Sequence, residues 1–242
     1  MKALNSILTD VHPSWSDILK SALLSLDNEY LNFLLNDSRY FPNINTFLNP
    51  FKSLSSDSVK YILFGQDPYP RQESAIGYAF IDAKVKEIFS DKGFSKEVNR
   101  ATSLRNFIKM LLLCDNLLND NDLSQKAISS INKENLCKNI IELKDNFEKN
   151  GVLLLNMALI FTDKSDSKYH LKKWKPFVQS MLCSLKKREI ALILFGNAAK
   201  EIEKLKCSND FKKFFFIHPY NVDFIKDKEA HRLFKPMNLL KY

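Results

Sequence analysis

Val59-Lys60-Tyr61-Ile62-Leu63-Phe64-Gly65-Gln66-Asp67-Pro68-Tyr69-Pro70 is the stretch that decides the fold of this 242-residue chain. Its first six residues form a short, nearly continuous apolar run, which reads as a strand buried on both faces, as in a parallel sheet. The run ends on Gly65, where the backbone can pass close to a ligand. Beyond it, Pro68 and Pro70 fix φ at their own positions and bias Asp67 and Tyr69 toward extended conformations. A stiff turn at a strand end is a good mount for a reacting carboxylate. Taken alone, Asp-Pro is also a common structural turn.

Three further runs have the same character: Val152-Leu153-Leu154-Leu155, Ile190-Ala191-Leu192-Ile193-Leu194-Phe195 and Phe214-Phe215-Phe216-Ile217. Helical patterns are predicted over 18–35, 104–118, 136–149, 174–187 and 198–205. Strands alternating with helices imply right-handed crossovers. The fold class is therefore α/β, a three-layer sandwich with a central four-stranded parallel sheet flanked by helices. The competing reading is that some short apolar runs are buried helix. The runs end in Gly65-Gln66-Asp67, Asn156, Gly196-Asn197 and His218-Pro219-Tyr220. Ligands bind outside the carboxyl ends of strands in open parallel sheets, so one Asp, one Asn and one His are expected to converge on one sheet edge. With no repeat or linker, a single domain is expected over 1–242. The charged or polar stretches at about 84–100 and 119–134 read as insertions.

Composition sets the wider limits. Hydrophobic residues make up 45%, enough for a sizeable core, and only 5 Gly and 8 Pro argue against a low-complexity chain. The net charge of +8 suits a polyanionic partner, although a solvated Lys-rich surface explains it equally well. The four cysteines, Cys114, Cys137, Cys183 and Cys207, form no C-x-x-C pair. That disfavours a zinc site or an iron–sulfur cluster and suggests reduced thiols in an intracellular, cytoplasmic setting. Residues 1–10 do not read as a secretory signal, and no run is long enough to span a membrane.

Gly65-Gln66-Asp67-Pro68-Tyr69 resembles the signature of the family-1 uracil-DNA glycosylases. Further matches follow in the family's order: Gly77-Tyr78-Ala79-Phe80, Leu153-Leu154-Leu155-Asn156, His218-Pro219 and Ala230-His231-Arg232. Tyr40-Phe41-Pro42, preceding Phe47 and Phe51, is similar to the segment before the family's first strand. The resemblance spans most of the chain, from about Trp15 to Leu240.

The resemblance implies an enzyme that flips deoxyuridine out of single- or double-stranded DNA and hydrolyses its glycosidic bond. Asp67 would stabilise the sugar cation and position water, and His218 would donate a hydrogen bond to uracil O2. Phe80 would stack on the base, Asn156 would read its Watson–Crick edge, and Tyr69 would exclude the thymine methyl. Gln66 would contribute backbone contacts. Neither a metal nor a cofactor is implied. For DNA contacts it points to Thr102-Ser103, Gly196-Asn197 and Tyr220-Asn221-Val222. Val222 is the first candidate for the wedge that enters the base stack, with Phe224 or Ile225 as alternatives in a loop longer than usual.

Pro70 stands where the family has His, and Tyr220 and Asn197 stand where it has Ser. The stretches from Phe80 to Ser103 and from Ser103 to Asn156 also look long. These departures imply altered DNA grip and weakened binding of DNA-mimic inhibitor proteins. His12 is expected on the surface and His170 in a solvated position, with a DNA-facing one as its alternative; a phosphate contact by His231, beside Arg232, is the lesser of the readings for that residue. A monomer is expected. Two rival readings are a non-catalytic DNA-binding or polymerase-tethering module of the same fold, and a broader-specificity glycosylase. Retention of Asp67, Asn156 and His218 opposes the first, and the cysteine spacing together with Tyr69 opposes the second.

Overall fold

The structure is a computed structural model that describes residues 2–241. Met1 and Tyr242, the ends of the domain expected over 1–242, lie outside the described residues. In chain order the elements are α1 (Lys2–Ile7), α2 (Ser16–Leu24), α3 (Asn28–Asn36), β1 (Tyr61–Gly65), β2 (Phe89–Ser90), β3 (Gly93–Phe94), α4 (Lys96–Arg100), α5 (Thr102–Cys114), α6 (Gln125–Ser129), α7 (Ile140–Lys149), β4 (Val152–Asn156), α8 (Ser167–Leu185), β5 (Ala191–Phe195), α9 (Gly196–Glu203), β6 (Lys212–Phe216) and α10 (Lys228–Phe234). All four apolar runs are strands. They form a four-stranded parallel sheet flanked by helices, in the order β4-β1-β5-β6. The fourth is not buried on both faces as expected: β6 is an edge strand buried only at Phe216, with Phe215 52% exposed and Ile217, just past its end, 42% exposed.

The chain divides into two compact units, Met1–Phe80 with Gly151–Phe215, and Ile81–Asn150 with Phe216–Tyr242. In the first, β1 pairs in parallel with β4, from Tyr61 opposite Val152 to Gly65 opposite Asn156. On its other side β1 pairs with β5, from Tyr61 opposite Ala191 to Phe64 opposite Leu194. Ile62, Phe64, Leu153, Leu155, Leu192 and Leu194 share one sheet face and belong to the core that contains Leu19 of α2 and Trp174, Phe177 and Met181 of α8. The adjacent strand positions Leu63, Leu154 and Ile193 are buried as well. Burial on both faces is why these strands carry no polar alternation. In the second unit, Phe107 of α5 is the hub. Its ring lies 5.8 Å from Phe147, 5.9 Å from Phe224 and 5.1 Å from Phe234.

Three expectations need correction. The helix predicted over 18–35 is two helices, because Asp27 stops the continuous pattern and caps α3 by accepting the Tyr30 N–H at 2.8 Å. The helix predicted from Trp174 begins at Ser167 and carries Pro176 inside it. The cysteines are not all reduced: Cys183 of α8 and Cys207 form a disulfide with Cα atoms 5.2 Å apart. Cys114 and Cys137 are free and buried, and burial pushes each thiol up to about 12. The polar stretches at 84–100 and 119–134 hold the β2–β3 hairpin, α4 and α6, all in the second unit. Among the described residues no helix is long and apolar enough to cross a membrane.

Candidate active site

Gly65 and Asn156 sit opposite each other at the carboxyl ends of β1 and β4. A Cβ on residue 65 would fall 2.2 Å from Asn156 Oδ1 and 3.1 Å from the Ala79 side chain. Only glycine leaves room for this amide, which is 3% exposed. The strand ends are tied further by Met157 N–H to Gly65 O at 2.9 Å and Ala158 N–H to Gln66 O at 3.0 Å. The Gln66 side chain is exposed, so its carbonyl is a structural group here.

Tyr69 and Phe80 are also brought together. The Tyr69 hydroxyl donates to the Phe80 carbonyl at 3.2 Å. Phe80 has φ of 66°, a left-handed conformation uncommon for a residue with a side chain. It is held there from the residues before it. Ala79 N–H donates to Leu154 O at 3.2 Å, and Asn49 Nδ2 donates to Ile76 O at 2.9 Å. Gly77, at φ of 96°, passes so close to Thr46 that a Cβ would lie 2.3 Å from its carbonyl. The Phe80 ring is half-buried, 5.3 Å from that of Phe195. Fixed in this way, the ring is a stable platform for a planar ligand.

Asp67 is half-buried, and one carboxylate oxygen accepts a hydrogen bond from Ser167 Oγ at the start of α8. Nothing in the sequence marks Ser167, which lies 100 residues from Asp67. Gly196 and Asn197 are the first two residues of α9, where no side chain caps the helix. Their backbone N–H groups point to the positive end of the helix dipole, a setting suited to anions.

In the second unit, His218 follows the last residue of β6 by two positions. Its Nδ1 accepts the Tyr220 N–H at 3.1 Å. That bond places the ring proton of the neutral imidazole on Nε2, making Nε2 a donor. Crowding by protein atoms holds the imidazole pKa below its ordinary 6.5, although the residue keeps an exposed edge. The loop is anchored by Asn106 of α5, whose Nδ2 donates to Pro219 O at 2.8 Å. Sequence reasoning missed Asn106; the available signal was an amide on an otherwise apolar helical pattern. Thr102 and Ser103 open the same helix, again without a side-chain cap.

Tyr220 and Val222 are 71% and 63% exposed, whereas Phe224 and Ile225 are 0% and 1% exposed. Stacking of Phe224 on Phe107 removes it from the wedge alternatives, and burial removes Ile225. Asn221 caps the short turn that follows, accepting the Asp223 N–H at 3.0 Å. Of the remaining histidines, His170 departs from expectation. His170 is buried, bonded to Tyr30 OH at 2.7 Å and Thr162 Oγ1 at 2.8 Å, so it is not in a solvated position. His231 Nε2 donates to Ile225 O at 2.8 Å, which ties the ring to the preceding loop. His12 is half-buried, and its Nδ1 accepts the Ser14 N–H at 3.3 Å.

No protein-family model matches the chain. Among solved structures, it superposes on the wild-type UNG from Nitratifractor salsuginis with a TM-score of 0.97 and 47% identity, over 99% of this chain and 97% of that one. Among curated proteins, the uracil-DNA glycosylase of Fusobacterium nucleatum is 26% identical over 223 residues, 88% of this chain and 83% of that protein. The chain belongs to the uracil-DNA glycosylase family. Mimivirus uracil-DNA glycosylase, 18% identical with a TM-score of 0.58 over 89% of this chain, shares the fold. As a uracil-DNA glycosylase, the chain is a hydrolase acting on N-glycosyl bonds in DNA repair. Among the described residues of this uracil-DNA glycosylase, no group of three or more His, Cys, Asp or Glu side chains could hold a metal ion.

Proposed function

We propose that the chain excises uracil from DNA by hydrolysing the N-glycosidic bond of deoxyuridine, with Asp67 and His218 carrying the chemistry. The observation that carries this reading is the Asn156 amide packed against Gly65 at the sheet edge. An amide so fixed offers one donor and one acceptor in a set orientation, which suits the Watson–Crick edge of uracil and opposes that of cytosine. Phe80 stacks on the extruded base. Tyr69 stands against C5, where a thymine methyl would collide.

Bond cleavage leaves negative charge on uracil and positive charge on the sugar. His218 donates from Nε2 to uracil O2, and a donor already aimed at developing charge needs no reorganisation. Asp67 stabilises the cationic sugar and orients the attacking water. Thr102, Ser103, Gly196, Asn197, Tyr220 and Asn221 contact the DNA backbone, with Val222 as the wedge. The enzyme acts as a monomer on intracellular DNA, as one catalytic domain over 1–242. The substitutions at Pro70, Asn197 and Tyr220 weaken binding of DNA-mimic inhibitor proteins. Normal-affinity complex formation with such an inhibitor would overturn that last point.

The test is incubation with single-stranded and duplex oligonucleotides carrying one uracil, followed by alkaline cleavage at abasic sites. Strand cleavage is expected for the wild type and near-complete loss for Asp67→Asn and for His218→Leu. An inactive wild type beside an active control enzyme would leave only a binding role. Near-normal turnover by either variant would refute the role given to that residue.

A further inference from the structure

We propose that Ser167 is a positioning residue for Asp67, holding one carboxylate oxygen so that the other is presented to the attacking water. The inference rests on the role given to Asp67 above. The turn from Gly65 to Pro70 restrains the backbone of residue 67 through two prolines. It does not restrain the Asp67 side chain, which still has two rotatable bonds. Pro70 beside it brings no side-chain donor. Among the described residues, the side-chain hydrogen bond recorded for the Asp67 carboxylate comes from Ser167 Oγ to Oδ2.

That donor sits on a rigid frame. Ser167 is the first residue of the 19-residue helix α8, which is packed in the core through Trp174, Phe177 and Met181. The approach to the helix is braced at several points. Asp163 accepts the Ser165 N–H at 2.8 Å, and Thr162 Oγ1 donates to Asp166 Oδ2 at 3.1 Å. Thr162 Oγ1 also lies 2.8 Å from His170 Nε2, and His170 Nδ1 lies 2.7 Å from the buried Tyr30 hydroxyl. The chain from Tyr30 through His170 and Thr162 therefore fixes residues 162–170 against the core. A short hydroxyl side chain on such a frame loses little freedom in making its bond. A carboxylate accepting a bond from it is locked in rotation while its second oxygen stays available. Reactive groups need this degree of alignment, and small misplacements are costly in rate.

The experiment compares wild type, Ser167→Ala, Ser167→Thr and Asp67→Asn, together with the double variant Asp67→Asn/Ser167→Ala. Uracil release is measured under steady-state and single-turnover conditions, and the melting temperature of each variant is recorded. Ser167→Ala is expected to lower kcat roughly ten- to hundredfold with KM nearly unchanged. Ser167→Thr, which keeps the hydroxyl, should recover most of the rate. In the Asp67→Asn background, Ser167→Ala should add little further loss, because the two residues act as one unit. Three outcomes overturn the inference: a wild-type kcat in Ser167→Ala, a loss confined to KM, or the same fold loss with and without Asp67. A Thr variant as slow as Ala at an unchanged melting temperature also overturns it. If Asp67→Asn itself remains active, the underlying role of Asp67 fails instead, so the two failures are distinguishable.

Discussion

Asn156 Oδ1 occupies the space where residue 65 would carry a Cβ, 2.2 Å from that position. Gly65 and Asn156 are register partners on adjacent parallel strands. The identity of one therefore controls the side-chain position of the other. Gly65→Ala should displace the Asn156 amide, since the Ala79 side chain on the other contact, at 3.1 Å, leaves no easy retreat. Uracil excision is expected to fall on the order of a hundredfold. Overpacking should cost about 1–3 kcal/mol of stability. Kinetics and a melting curve check both, and unaltered kcat/KM would mean that Asn156 does not read the base.

The Tyr69 hydroxyl donates to the Phe80 carbonyl at 3.2 Å, which links the proposed thymine gate to the proposed base platform. Tyr69→Ala should open space for a methyl at C5 and permit thymine release. One methyl in an apolar pocket discriminates by roughly 10- to 200-fold, so a gain of that order is expected on thymine substrates. Tyr69→Phe keeps the ring and should continue to exclude thymine while slowing uracil release modestly. Competition between uracil- and thymine-containing duplexes reads the difference. A Tyr69→Ala enzyme that still ignores thymine would place the gate elsewhere.

Two histidines set the response to acid. Burial lowers the pKa of His170 below 6.5, and crowding by protein atoms lowers that of the solvent-exposed His218 in the same direction. Protonating His218 would put a second proton on Nδ1, where the Tyr220 N–H is already accepted. The activity supported by neutral His218 should be complete above pH 6.5 and fall as the pH drops through the lowered value. For His170 the unfolded state binds the proton more readily than the folded state. Its stabilising contribution is thus present above pH 6.5 and lost as the pH falls below it. Melting temperatures from pH 8 to pH 5 should fall more steeply for wild type than for His170→Gln. Parallel curves would show that His170 does not contribute.

The exposure contrast within 220–225 separates Val222, the proposed wedge, from the core residues Phe224 and Ile225. Val222→Gly should lower excision from duplex DNA by about tenfold and leave single-stranded substrate nearly unaffected, since only a duplex needs a wedge. Phe224→Ala removes a ring stacked on Phe107 and should cost about 3–5 kcal/mol of stability. Equal losses on both substrates for Val222→Gly would remove it as the wedge.

The amino-acid sequence by itself determined the four strands, three of them buried, the stiff turn at Gly65–Pro70 and the order of the segments that carry Asp67, Phe80, Asn156 and His218. These are local properties: apolar run length, proline and glycine sterics, and residues placed at strand ends. Only the tertiary structure decided the sheet order β4-β1-β5-β6. It also decided the break at Asp27 between α2 and α3, the Cys183–Cys207 disulfide and the burial of His170. Likewise, it revealed that Ser167 reaches Asp67, that Asn106 holds the carbonyl of Pro219, and that Phe224 and Ile225 are core while Val222 is exposed. Each of these depends on which distant surfaces pack together. A serine or a histidine has the same local signature whether it caps a turn, anchors a carboxylate or faces water, and packing alone distinguishes them.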